Sequence, residues 1–169
     1  MYTLQFAAIK QILTSQIDTL KGVDYYNEQY DNTEHEKGKL YPRIYVEFED
    51  EMEWLSGGDG IQTSETEIKL HYVYYDLGES PEPALVAAEN LHKAIANKPL
   101  KDSNGGHLAT GLNRSSSELV TRFKNLKVII LSYTTEFTDC STVTERMCID
   151  NPITLEVIGE LKNLNNQSI

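Results

Sequence analysis

The densest group of chemically capable side chains in this sequence is Glu47-Phe48-Glu49-Asp50-Glu51-Met52-Glu53. Successive side chains of an extended chain alternate between faces, so Glu47 and Glu49 share one. Paired carboxylates there can hold a divalent ion, move protons or meet a basic partner. A solvated acidic face needs no further assumption, and on that reading no metal and no cofactor is expected. His35, His71, His92 and His107 stand apart, without the His-x-His, His-x-x-x-His or His-Glu-x-x-His spacing that gathers ligands around zinc or iron. Ser115-Ser116-Ser117 lacks a Gly-x-Ser-x-Gly turn, and no placed base is evident for it. Gly57-Gly58-Asp59-Gly60 follows a strand but opens no helix, and Gly105-Gly106 lies inside a loop, so turn-making is the expected role of both rather than phosphate binding. Cys140 and Cys148 lie in a polar stretch and read as ordinary reduced cysteines. Catalysis is thus not expected; a dispersed active site would have to join distant residues such as His71 with Glu65 or Glu67.

Tyrosine is the one compositional excess, 10 against 4 Phe and 1 Trp, and it combines apolar area with a hydroxyl that tolerates wetting. Tyr45, Tyr72, Tyr74, Tyr75 and Tyr133 fall in expected strands. Tyr25, Tyr26 and Tyr30 fall in a polar connection. Tyr25, Tyr26 and Trp54 are the expected contacts with partners or other subunits, whereas Arg43, Glu47 and Glu49 are expected on the charged, solvated side of the first strand.

These residues need elements to position them. Phe6, Ile9, Leu13, Ile17 and Leu20 recur at helical spacing, which predicts an amphipathic helix over 4–20 with Gly22 as its C-cap. Residues 23–39 keep no period and read as a long polar connection. From Pro42 the period becomes two: Ile44, Val46 and Phe48 face one way, and Arg43, Tyr45, Glu47 and Glu49 the other. A second alternating strand spans 61–75, with Ile68, Leu70, Tyr72 and Tyr74 on its apolar side, and the two strands read as a hairpin with a long glycine-rich connection. Pro81-Glu82-Pro83 opens a helix over 84–97 with the stripe Leu85, Ala88, Leu91 and Ile95, and Pro99 stops it. Residues 100–118, rich in Gly, Ser and Asn, read as a loop, 126–137 as a strand and 153–158 as the last strand, before a polar tail over 159–169. The expected fold is a single α+β domain over 1–169 with its core in 4–158: one sheet of about four mainly antiparallel strands packed against two helices, in the order α-β-β-α-β-β.

The chain of 169 residues carries 15 basic and 26 acidic residues, a formal charge of -11. Residues 1–82 hold 6 Lys/Arg and 17 Asp/Glu, so the whole excess lies there, while 83–169 sum to zero. That balance opposes general nucleic-acid binding, which grows with the phosphates neutralised, yet it allows DNA to pass without being held. No apolar run approaches the length of a membrane span, and Met1-Tyr2-Thr3-Leu4-Gln5-Phe6 has no basic n-region, so neither membrane insertion nor secretion is expected.

The N-terminal amphipathic helix, the strand Tyr41-Pro42-Arg43-Ile44-Tyr45-Val46-Glu47-Phe48, the approach Gly58-Asp59-Gly60-Ile61-Gln62 to a long second strand, the helix after Pro83 and the closing strand pair form an ordered pattern. It resembles the tail-terminator and tail-completion (neck, head-tail joining) proteins of tailed bacteriophages over about residues 4–158. The resemblance implies a small α+β subunit that forms a homo-oligomeric ring, usually a hexamer, which ends the tail tube of a phage or prophage and offers a surface to the head connector. Partners would then be other copies, tail-tube and head-connector proteins and passing DNA, and the location the virion tail, with host cytoplasm during assembly. The alternative left open is a small acidic adaptor domain that binds a basic protein partner through residues 47–53.

Overall fold

The computed structural model of the chain describes residues 2–28, 40–49, 52–58, 60–75, 82–121 and 125–139. In chain order these form α1 (Tyr2–Gln16), β1 (Gly22–Tyr25), β2 (Arg43–Phe48), β3 (Leu55–Gly58), β4 (Ile61–Tyr75), α2 (Glu82–Ile95), β5 (Pro99–Lys101), β6 (His107–Gly111), β7 (Asn113–Thr121) and β8 (Leu126–Asp139).

The two longest strands form the spine. β4 and β8 pair antiparallel from Gln62↔Asp139 to Tyr75↔Leu126. On the other edge of β4, β2 pairs along Ile68 to Val73 and β3 forms a hairpin at Ile61 to Thr63. On the other edge of β8 lie β7 and, further along, β6. The sheet order is β1-β2-β4-β8-β6-β5, with β3 added to β4 and β7 to β8. Only β1 with β2 is a parallel pair among the named strands.

This corrects the expected architecture: the sheet has eight strands, not about four, and it is mixed and curled. The extra strands come from stretches without apolar alternation. Residues 100–118, expected to be a loop, supply β6, most of β7 and part of β5, and residues 113–119 are exposed throughout. Edge strands of this kind are held by their ladders and not by burial, so they leave no period-two signature. β1 falls in the expected polar connection and buries only Val23, and the glycine-rich break supplies β3, whose residues are all exposed. The expected strand over 153–158 and the polar tail lie outside the described residues.

α1 ends at Gln16, short of the expected Leu20. The Thr14 hydroxyl donates to the Lys10 carbonyl at 2.8 Å and Ser15 to Ile12 at 2.9 Å, a local bonding mode that competes with helix propagation. Ile17 and Leu20 still pack against the core from the turn that follows. α2 ends at Asn97, which adopts a left-handed φ of 57°. Gly111 approaches it closely, since a Cβ there would lie 3.0 Å from the Asn97 backbone.

Both helices lie on one face of the sheet. Ile9 and Leu13 of α1 and Leu91 and Ile95 of α2 close over Ile44, Val46, Ile68, Leu70, Leu131, Tyr133 and Phe137. A smaller apolar cluster, Tyr45, Val73, Leu126 and Val128 with Tyr26, Tyr41 and Ile130 beside it, sits on the opposite face at one end of the spine.

Candidate functional site

The face without helices holds the candidate residues. Register fixes this: Arg43, Tyr45 and Glu47 of β2 stand opposite Val73, His71 and Lys69 of β4, which in turn stand opposite Val128, Ile130 and Ser132 of β8. Beyond the tyrosine-rich end, the surface becomes charged. Glu47 reaches diagonally to His71, its Oε2 2.7 Å from the ring Nε2. The His71 side chain is only 4% exposed, whereas that of Glu47 is 33% exposed, so a wet carboxylate partners a sequestered imidazole. The ring of Tyr26 stacks on His71 at 4.4 Å with an interplanar angle of 12°. Lys69 Nζ lies 3.9 Å from Glu47 and 3.7 Å from Glu67. The hydroxyl of Ser115 donates to Glu67 at 3.4 Å.

Glu49 lies just past the end of β2. Its carboxylate accepts the backbone N–H of Glu67 at 3.2 Å, and its carbonyl accepts the Tyr2 hydroxyl at 2.7 Å. Glu47, Phe48, Glu49, Glu67 and Lys69 line an open depression of about 250 Å³. Three carboxylates around one ammonium leave it net negative, a surface that repels phosphate and attracts cationic groups. Among the described residues no group of three or more His, Cys, Asp or Glu side chains converges as metal ligands do. No helix among them is long and apolar enough to cross a membrane.

The other expected residues have definite places. Arg43 is not a free charge: its guanidinium pairs with Asp24 of β1, with Nε 3.2 Å from the carboxylate, and it also donates to the Lys21 carbonyl at 3.4 Å. It closes over Gly22, where a Cβ would collide with its guanidinium, so Gly22 permits this clamp between β1 and β2. Tyr25 is half exposed and its ring lies against Phe48 at 5.9 Å and Phe6 at 6.2 Å. Trp54 is half-buried against the helix-side core. Asp50 and Glu51 lie outside the described residues, as do Tyr30, His35, Cys140 and Cys148.

His71 was legible in the sequence only as an isolated histidine, and the partners considered for it were Glu65 and Glu67. Its neighbour is instead Glu47, because β2 pairs beside β4. A second ring pair sits on the helix side: His92 Nδ1 of α2 lies 3.3 Å from the hydroxyl of Tyr133. Burial, then the positive Arg114, lower the His92 pKa from 6.5. Burial pushes that of Tyr133 up to about 12, against a smaller opposing pull from Arg114. Both rings are therefore neutral near pH 7, as a packed pair under a helix must be.

No family model matches the chain, and no curated protein matches it. Among solved structures, a chain from the virion of a native gene transfer agent (GTA) particle aligns with a TM-score of 0.56 and 18% identity, over 82% of this chain and 100% of that one. The two share a fold. A second solved structure, at TM-score 0.46 and 10% identity over 79% of this chain and 90% of its own, is too distant to argue from. The sequence pattern resembles virion assembly proteins, and the structural neighbour is a virion component; the tie between them is architectural.

Proposed function

We propose that this chain is a structural protein of a phage or phage-like virion, acting at the end of the tail as one subunit of a homo-oligomeric ring, hexameric by the family resemblance. Its role is to terminate the tail tube and present a surface to the head connector, by shape and charge and without turnover. The observation that carries this reading is the fold shared with the whole length of a chain from a gene transfer agent virion. The face bearing Glu47, Glu49 and Glu67 supports it: a wall of that charge lets DNA pass without binding it. Tyr25 supplies an exposed aromatic ring at the edge strand β1, suited to a subunit or partner contact. The adaptor reading is less favoured because Glu47 and Glu67 already share Lys69 within the chain. The protein would reside in the virion tail, and in host cytoplasm while the tail assembles.

Light scattering across a concentration series at two salt levels tests this. A species near six times 19.2 kDa, or a monomer that converts to it on concentration, is the expected result. A strictly monomeric chain throughout overturns the ring.

A further inference from the structure

β7 is the least protected edge in the described structure. Its inner edge pairs with β8, and its outer edge meets no strand among the described residues. Residues 113–119 are exposed on both faces. Natural edge strands are blunted by proline, lysine, a bulge or a covering element. β7 has neither proline nor lysine, its one register irregularity falls between Arg114 and Ser116, and from Ser116 to Thr121 the ladder is continuous. The neighbouring β6 is covered on its outer side by β5, and a bridge between Ala96 and Leu112 ends that cover where β7 begins. Leu119 stands on the helix side of β7, opposite Ile129, and is 54% exposed.

The geometry points to an occupant from this chain: residues 153–158 add as a further strand along the outer edge of β7, parallel to it, completing the sheet on that side. The segment is Ile153-Thr154-Leu155-Glu156-Val157-Ile158, six residues against the six of 116–121. Its alternation puts Ile153, Leu155 and Val157 on one face, the face that would cover Leu119. Reach fixes the direction. Residues 140–152 follow Asp139 and span at most roughly 43 Å when extended. Ser116 stands opposite Ser132, seven positions back from Asp139 and so roughly 23 Å along the spine, plus about 10 Å across two strand spacings. The Thr121 end is roughly 40 Å along, which would stretch the connection to its limit, so entry at the Ser116 end and a parallel course are required. Intramolecular tethering raises the effective concentration of this segment at the edge above that of any other copy in dilute solution.

This inference is independent of the ring reading, because the pairing forms within a monomer or within each subunit of a ring alike. The test uses the full chain with Cys140→Ser and Cys148→Ser, carrying Leu119→Cys with either Leu155→Cys or Val157→Cys. Glu118→Cys with Leu155→Cys, on opposite faces, is the control. Mild oxidation, followed by non-reducing electrophoresis and peptide mass spectrometry, should give an intramolecular disulfide in one same-face pair, independent of concentration and in excess of the control. Disulfides only between molecules would assign the edge to another copy and overturn the proposal; no excess over the control would also overturn it. Hydrogen exchange of the unsubstituted chain supplies a second readout. The amides of 116–121 should be protected and should lose that protection in Val157→Pro, which removes a ladder donor; unprotected amides in the unsubstituted chain would overturn the pairing equally.

Discussion

On one side of β2, β4 and β8, Ile44, Val46, Ile68, Leu70 and Leu131 disappear beneath two helices. On the other, residues one position away in the same strands form a tyrosine-rich apolar end and then a charged stretch of Glu47, Lys69, His71 and Glu67. The first side is held by apolar area removed from water and tolerates no gap. The second is held by cross-strand pairs, each worth little while wet. Stability therefore resides on the helix side, and chemistry meant for other molecules is free to reside on the open side. The exception is His71, whose ring is sequestered by Tyr26 and Glu47 in the middle of the open face.

The comparison is broken first by deleting bulk on the helix side. Leu70 is fully buried in the central strand, and Leu70→Ala should cost about 3 kcal/mol, read as a lower urea midpoint with unchanged slope. A loss under 1 kcal/mol, by that scale, would mean that the helices do not seal this face. On the open side, Glu47→Ala takes the carboxylate away from a buried imidazole and should cost about 1 kcal/mol, discounted because the carboxylate is itself partly wet. Lys69→Ala, which removes only exposed pairs, is the matched comparison and should cost about 0.5 kcal/mol or less by thermal unfolding. Equal losses for the two would erase the special place given to His71.

The smallest effect concerns His92. Its pKa is lowered in the folded state, so below 6.5 the unfolded chain takes up a proton that the folded chain resists. Its contribution to stability is present above pH 6.5 and is lost as pH falls toward the folded pKa. His92→Gln should flatten the stability profile in that window relative to the unsubstituted chain; an unchanged slope would locate the acid sensitivity elsewhere.

Where burial was one-sided and the strand long, the sequence was legible. β4 begins at Ile61 and ends at Tyr75 as its alternation predicts, and the facing of Ile44, Val46 and Phe48 is as expected. Where a strand was held by hydrogen bonds alone, the sequence was silent. Asn113-Arg114-Ser115-Ser116-Ser117 has the composition of a loop, and only the ladder to β8 makes it a strand. Leu85 shows a subtler shift: it belongs to the helical stripe by spacing, but Ala84 is buried in its place and Leu85 is half exposed. The candidate site was legible residue by residue and not as an assembly. Arg43, Glu47 and Glu49 were visible, but their partners Asp24, His71 and the Glu67 backbone lie 18 to 24 positions away in the chain.

By itself, the sequence determined the two helices, the long strands, the faces those strands present and the acidity of the first half, because helical and strand periodicities and charge are local properties of residue order. Tertiary structure alone decided that eight strands join one sheet, that Glu47 meets His71, and that β7 keeps an open edge. Each of these depends on which strand lies beside which, and pairing is a choice among distant segments that no local pattern encodes.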